Sequence, residues 1–371
     1  VSGGFNVVDS AVQGGHRLIA IVMGRPSHAA RETEVMTMLT AGFQQNQIYA
    51  NVTLASAAAD NDAGPLKTGD LLDLEGAATL NIAGTMDIRV DTAWQDYSSG
   101  PGTLVVNNTG SILKSAGTGQ FEFLHMALNN TGLVHAKAGQ LAFGGDGGVS
   151  TGEFRADSGT DIAFLYGTQT WNDGAKATGA GTLSLRNLSG SLGGTLSVNG
   201  TTVTAERLNL GPLGTLTGTG LFTITGTGSR WTAGFMTGGG TTRLDTGADL
   251  TLAGGSRKFL GTRTLDVRGT LVEESTGDLL DLEGAATLNV SGTFDIRGDT
   301  AWQHFTSAPG TLTIGNTGVI ARSGIASSGV CSPDELRRAA LGVIRIILEN
   351  NLRFGLRRDR RDQKHQELTR Q

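Results

Sequence analysis

Three acidic residues, Asp70, Asp73 and Glu75, return later in the chain as Asp278, Asp281 and Glu283. Two carboxyl groups flanking one glycosidic bond are what polysaccharide cleavage requires, and clustered carboxylate oxygens are also what Ca²⁺ prefers. A catalytic pair serves once per protein, whereas these acids travel with a duplicated unit. Solvated, structural carboxylates are therefore expected, with Asp73 and Asp281 kept as candidates for contact with a sugar. Trp94 and Trp302 hold equivalent positions in Asp-Thr-Ala-Trp-Gln, and Trp171 and Trp231 lie between them. An exposed indole could stack on a sugar ring, but a buried one supplies large apolar area, so core or corner packing is the expected use.

Other chemistry finds less support. The six histidines, His16, His28, His125, His135, His304 and His365, fall at no ligand-like spacing. His125 and His135 could meet on adjacent repeats, yet zinc needs three or four ligands and the single cysteine, Cys331, is far along the chain. Gly144-Gly145-Asp146-Gly147-Gly148 is solitary and does not match the nonapeptide calcium repeat. The Gly-x-Gly strings lie between strand-like runs and precede no helix, so they read as corners and not phosphate loops. No catalytic, cofactor-binding or metal-binding residue is assigned, no cofactor is expected, and the chain is read as a non-enzyme.

The elements that would position these residues are set by an unusual composition. The 371 residues include 57 Gly, 6 Pro and 1 Cys, with 5 % aromatic and 17 % charged residues. Glycine without a three-residue period excludes collagen, 38 % hydrophobic residues suffice for a core, and one cysteine excludes a disulfide scaffold. A net charge of −5 gives no reason to expect nucleic acid as a partner. No run approaches the roughly 20 apolar residues that span a bilayer. No charged-then-apolar leader precedes Val1, and the chain reads as a fragment.

Internal repetition dominates the middle. GDLLDLEGAATLNIAGTMDIRVDTAWQDYSSGPGTLVV from Gly69 recurs as GDLLDLEGAATLNVSGTFDIRGDTAWQHFTSAPGTLTI from Gly277. Leu80, Ile82, Met86 and Ile88 become Leu288, Val290, Phe294 and Ile296, alternating with Thr79, Asn81, Thr85 and Asp87, so one strand face stays apolar in both copies. Leu104 and Val106 become Leu312 and Ile314, while the intervening Val105 becomes Thr313. Weaker Gly-Thr-Leu echoes recur between the copies at roughly 20 residues, a spacing typical of stacked repeats. Short strands with glycine corners suit a mainly β, right-handed parallel β-solenoid over residues 69–330, whose coils pair with those above and below. About 13 coils at roughly 4.8 Å each would give a rod on the order of 60 Å. An antiparallel sandwich array fits the same periodicity.

The ends differ in kind. Phe5 to Val12 and Arg17 to Met23 flank Gly14-Gly15 as a β-hairpin, and Ser27 can cap a helix with Val35, Met38, Leu39 and Gly42 on one face. A polar linker, residues 44–68, follows. Ser332-Pro333-Asp334-Glu335 opens a second helix with Leu336, Ala340, Val343, Ile344 and Ile347 as its apolar stripe. Residues 331–371 thus form an amphipathic helix and a basic tail. That helix could cap the solenoid, and the tail from Arg353 to Arg361 could touch an anionic surface.

Ser2 to Phe43, with its Ser-Gly-Phe-Asn entry, Arg-Leu-Ile-Ala-Ile-Val-Met-Gly strand and Ala-Gly-Phe ending, resembles the end of the catalytic domain of D-alanyl-D-alanine carboxypeptidases. The resemblance implies peptidoglycan chemistry, but that family's Ser-x-x-Lys and Ser-x-Asn elements are missing, and Lys67-Thr68-Gly69 falls downstream of the segment it should precede. The glycine-rich middle, including WTAGFMTGGGTTRLDTGADLTLAGG from Trp231, resembles repeats of bacterial adhesins and autotransporter passengers. Ser332 to Leu356, with Pro-x-x-Leu-Arg-Arg-Ala-Ala-Leu-Gly, resembles a segment of the glycyl-tRNA synthetase β subunit. Three unrelated resemblances in one chain imply a mosaic or truncated reading frame. The resulting expectation is a structural or adhesive segment of a secreted or surface-displayed bacterial protein, with a glycan or surface protein as partner. The alternatives are a carboxypeptidase remnant and a carbohydrate-active β-solenoid.

Overall fold

The computed structural model describes residues 5–13, 16–25, 27–44, 53–54, 70–73, 79–95, 104–187, 193–276, 280–297, 311–315, 317–323 and 345–346. Strand makes up 59 % of the described residues and helix 6 %. Near the N-terminus, β1 (Phe5–Gln13) and β2 (His16–Arg25) pair antiparallel and α1 (His28–Gln44) packs on them. Ser27 caps α1, its Oγ accepting from the Ala30 N–H at 3.2 Å. Val35 and Leu39 bury against Ala20 and Val22. Met38, expected on the same face, is 47 % exposed. A two-stranded hairpin covers only a narrow helical stripe, and Met38 lies about 60° round the helix from Val35.

The repeat is a parallel β-solenoid of about 10 turns, fewer than the 13 expected. Corners lengthen many coils beyond the minimal spacing: Thr237 contacts Thr217 across 20 residues, but Asn107 contacts Asn81 across 26. At one coil per strand spacing the stack is about 50 Å long. Each coil places one strand on each of three faces. Face I carries strands such as Leu104–Asn108, Met126–Asn130 and Gly194–Val198; face II carries Ser111–Lys114, Leu133–Ala136 and Leu221–Ile224; face III carries Gln120–Leu124, Gln140–Gly144 and Thr182–Leu185. The long strand Asp161–Trp171 turns from face III into face I, which joins those faces into one 22-stranded sheet beside the 12-stranded face II. Parallel register between successive coils excludes the sandwich array.

The alternation read from the sequence is the reason for this architecture. Leu80, Ile82, Ile88, Leu104 and Val106 are buried, as are Leu288, Val290 and Phe294, while Met86 and Ile296 pack at the edge of the same core. On face III one inward column runs Trp94, Phe123, Phe143 and Phe164, with Phe123 and Phe143 stacked at 5.2 Å. Each buried ring contributes about 2–3 kcal/mol by area, and each aromatic pair adds about 1 kcal/mol. Tight corners need glycine where a side chain would meet the coil beneath. Gly218 has φ 99°, and a Cβ there would lie 2.1 Å from the Val198 carbonyl oxygen.

The two copies of the duplicated segment occupy different faces. Leu80 and Ile82 lie on face I, whereas Leu288 and Val290 lie on face II; Met86 and Ile88 lie on face II, whereas Phe294 and Ile296 lie on face III. The repeat therefore does not span a whole number of coils. Three-fold similarity of the coil cross-section lets one sequence fit any face, because each face asks only for alternation.

Within the expected linker, Thr53–Leu54 forms a strand antiparallel to Leu80–Asn81. The C-terminal helix and basic tail lie outside the described residues, apart from Arg345–Ile346, which pair as strand, not helix, with Thr311–Leu312 on face II.

Candidate functional site

Of the residues singled out by chemistry, Trp302, Glu75, Asp278, His304, Cys331, His365 and the Lys67-Thr68-Gly69 string lie outside the described residues. Asp73 sits on a face III strand paired with Gln95. Asp281 is on face I, so the two copies of this acid lie on strands of different faces and cannot form one site. Asp281 is 2 % exposed, and Arg257, one coil earlier, hydrogen-bonds it and reaches Glu283 at 2.9 Å. The Arg257 guanidinium also lies over the Phe259 ring, 5.5 Å from its centroid. Asp281 is thus held in an ion pair and not turned to solvent.

Trp94 packs edge-on against Phe121 and Phe123, both at 5.7 Å, and its indole nitrogen is buried. Trp171 and Trp231 are fully buried. His135 pairs with Asp157 at 3.0 Å on face II, whereas His125 stands at the corner after Leu124, so the two do not meet. Among the described residues no group of three or more His, Cys, Asp or Glu side chains is placed to hold a metal ion. A slight cleft with room for about one water molecule lies beside Gly179 and Gly181 with Arg207 at its edge. It is smaller than the roughly 300–1,000 Å³ typical of small-molecule sites.

A polar constellation that the sequence did not single out lies on the outer side of face III. Because inward Phe121 and Phe123 alternate with Gln120 and Glu122, the latter two face outward. Parallel register stacks Gln120, Gln140 and Asp161 in one column and Glu122, Ala142, Ala163 and Ser184 in the next. Gln120 donates to Glu122, Gln140 donates to Asp161, and the Ser184 hydroxyl donates to Asp161 Oδ1 at 2.6 Å. Arg186 reaches back along the rod, donating to Gln140 Oε1 at 2.8 Å and Gln120 Oε1 at 3.4 Å. No carboxylate among the described residues is within ion-pairing distance of Arg186.

On the other side of Glu122, the Tyr166 ring lies over Gly144, where a Cβ would come within 2.2 Å of it. The Tyr166 hydroxyl accepts the His125 backbone N–H at 2.6 Å, and the two rings are 5.3 Å apart. His125 takes φ 61°, a conformation that costs a side-chain-bearing residue free energy. Ala142, Ala163 and Leu165 form a small buried cluster beneath Tyr166. Burial pushes the Glu122 carboxyl above its ordinary value against the pull of Gln120 and Arg186. Burial likewise raises Asp161 against hydrogen bonds from Ser184 and Gln140, and raises the Tyr166 phenol to about 12. These groups can accept and donate hydrogen bonds to a polyhydroxylated ligand and hold protons more readily than free carboxylates. The signal was present in the sequence only as polar residues recurring at coil spacing, which becomes visible once the coil length is known.

Comparison with protein-family models, curated proteins and solved structures finds no match to this chain. Its functional reading therefore rests on its own geometry.

Proposed function

We propose that this chain is a structural, adhesive β-repeat segment of a secreted or surface-displayed bacterial protein, acting as a stiff spacer whose outer faces meet a glycan or surface protein. The observation that carries the proposal is the single apolar core running from Leu80 to Phe294 through every coil. Such a stack grows by adding coils and displays its side chains outward at fixed intervals. Side-chain ladders reinforce it: Asn107 donates to Asn81 at 2.8 Å and Asn129 to Asn107 at 2.9 Å along face I. Asp73 and Asp281 of the duplicated segment fall on different faces, so they offer no shared catalytic pair.

The test is attachment. Beads coated with the purified chain should bind bacterial or host cell surfaces more than beads coated with heat-denatured chain, and the chain should take up no covalent penicillin label. Equal attachment by native and denatured chain would contradict the adhesive role. Penicillin acylation would favour the carboxypeptidase reading suggested by the N-terminal hairpin and helix. That reading draws on one observation, the exposed Val8, Ile19 and Ile21 on the hairpin face away from α1, as expected of a unit taken from a larger domain.

A further inference from the structure

We propose that the bay around Glu122 on the outer side of face III is a binding subsite for one ring of a neutral saccharide. This rests on the proposed surface role and names the ligand class and the place where it docks. Sugars present an apolar ring face edged by hydroxyls, so a matching site pairs an aromatic surface with planar polar groups. The bay supplies both. His125 and Tyr166 stand side by side with ring centroids 5.3 Å apart, and His125 is exposed at the corner. Glu122 is adjacent, with one oxygen taken by Gln120 and the other without a partner among the described residues. The Tyr166 hydroxyl accepts from the His125 backbone, but its own proton has no acceptor among the described residues. Arg186 closes the opposite side, fixed by the amide oxygens of Gln120 and Gln140, and its single charge is shared by the nearby carboxylates of Glu122 and Asp161.

Two features set this bay apart from an ordinary solvated face. Ala142, paired with Glu122 in the next coil, is fully buried, and with Ala163 and Leu165 it forms a packed apolar base on which the Tyr166 ring rests. His125 is one of two non-glycine residues with positive φ among the described residues, and nothing in coil closure demands an imidazole there, because glycine fills such corners elsewhere along the rod. A residue kept at a strained corner with its ring against a tyrosine is accounted for by the ring's own contact. A neutral sugar suits the site better than an acidic one, since Glu122 and Asp161 would repel a uronate carboxylate.

Saturation-transfer NMR on the full chain with cellotetraose, chitotetraose and polygalacturonate tests this directly. At least one neutral tetrasaccharide should give a saturable signal, and His125→Gly and Glu122→Ala should each weaken it at least tenfold. Phe235→Ala, on face I, should leave it unchanged. His125→Gly is the decisive variant, because glycine adopts the φ 61° corner freely and the melting temperature should not fall. Failure of both neutral sugars to bind, binding of polygalacturonate alone, or an unchanged signal in His125→Gly would overturn the proposal. A chain that attaches to cells but takes up neither neutral sugar would remove this subsite and leave the adhesive role standing.

Discussion

Arg263 shows how much this rod asks of single side chains. It is fully buried and has no carboxylate partner among the described residues; its guanidinium donates to the Thr242 hydroxyl at 2.7 Å and to the carbonyls of Gly218, Thr237 and Thr241 at 3.1–3.2 Å. Burial lowers its pKa to about 10, which still leaves it charged at neutral pH. Arg263→Met removes the charge but takes a donor from four oxygens at a corner, of which the Gly218 carbonyl keeps the Gly240 N–H at 3.0 Å, and each buried acceptor left unsatisfied costs about 1 kcal/mol or more. The variant should lose about 3 kcal/mol in urea denaturation; an unchanged midpoint would mean that water replaces the guanidinium at no cost. Asp161 gives a prediction of opposite sign. Its folded pKa is raised, so below about pH 4 the carboxyl is protonated in both states and carries no penalty. As pH rises towards the folded value the unfolded chain ionises first, and native stability falls. Asp161→Asn should therefore gain on the wild type as pH rises above the ordinary aspartate value, read from paired melting curves across that rise. A constant difference across that range would show that the site is hydrated.

At the scale of elements, corners decide whether a coil can stack. A Cβ at Gly179, with φ 94°, would sit 2.2 Å from the Ala156 carbonyl oxygen of the coil beneath. Gly179→Val should cost about 2–4 kcal/mol, combining backbone strain with forced separation of the coils. Hydrogen exchange should show the loss concentrated in the neighbouring face II strands, and uniform loss across the rod would argue against coil-by-coil coupling. The alternation of Leu80 and Ile82 with Thr79 and Asn81 made the strands and their buried sides legible before any coordinates, since period two follows from strand geometry alone. The face each strand occupies was not legible, because Leu288 and Val290 satisfy face II with the pattern that Leu80 and Ile82 use on face I. The Glu122 bay was hidden for a related reason. Its residues come from separate coils, and only Arg186 reaching back to Gln140 and Gln120 shows that they converge.

For the whole molecule, the decisive property is parallel stacking at one strand spacing per coil. The outer column of face I links Asn107, Asn129, Val149, Thr170, Ser197, Thr217 and Thr237, each one coil above the last. Spin labels at Val149 and Thr237 should therefore lie about 19 Å apart, and labels at Asn107 and Thr237 about 29 Å, with side-chain linkers broadening both. Pulsed electron-electron resonance on these two pairs tests the architecture most directly. Two distances differing by about two coil spacings are the predicted result. Equal distances, or a shorter separation for the Asn107 pair, would mean that the chain folds back on itself, and the rod with everything displayed along it would be wrong.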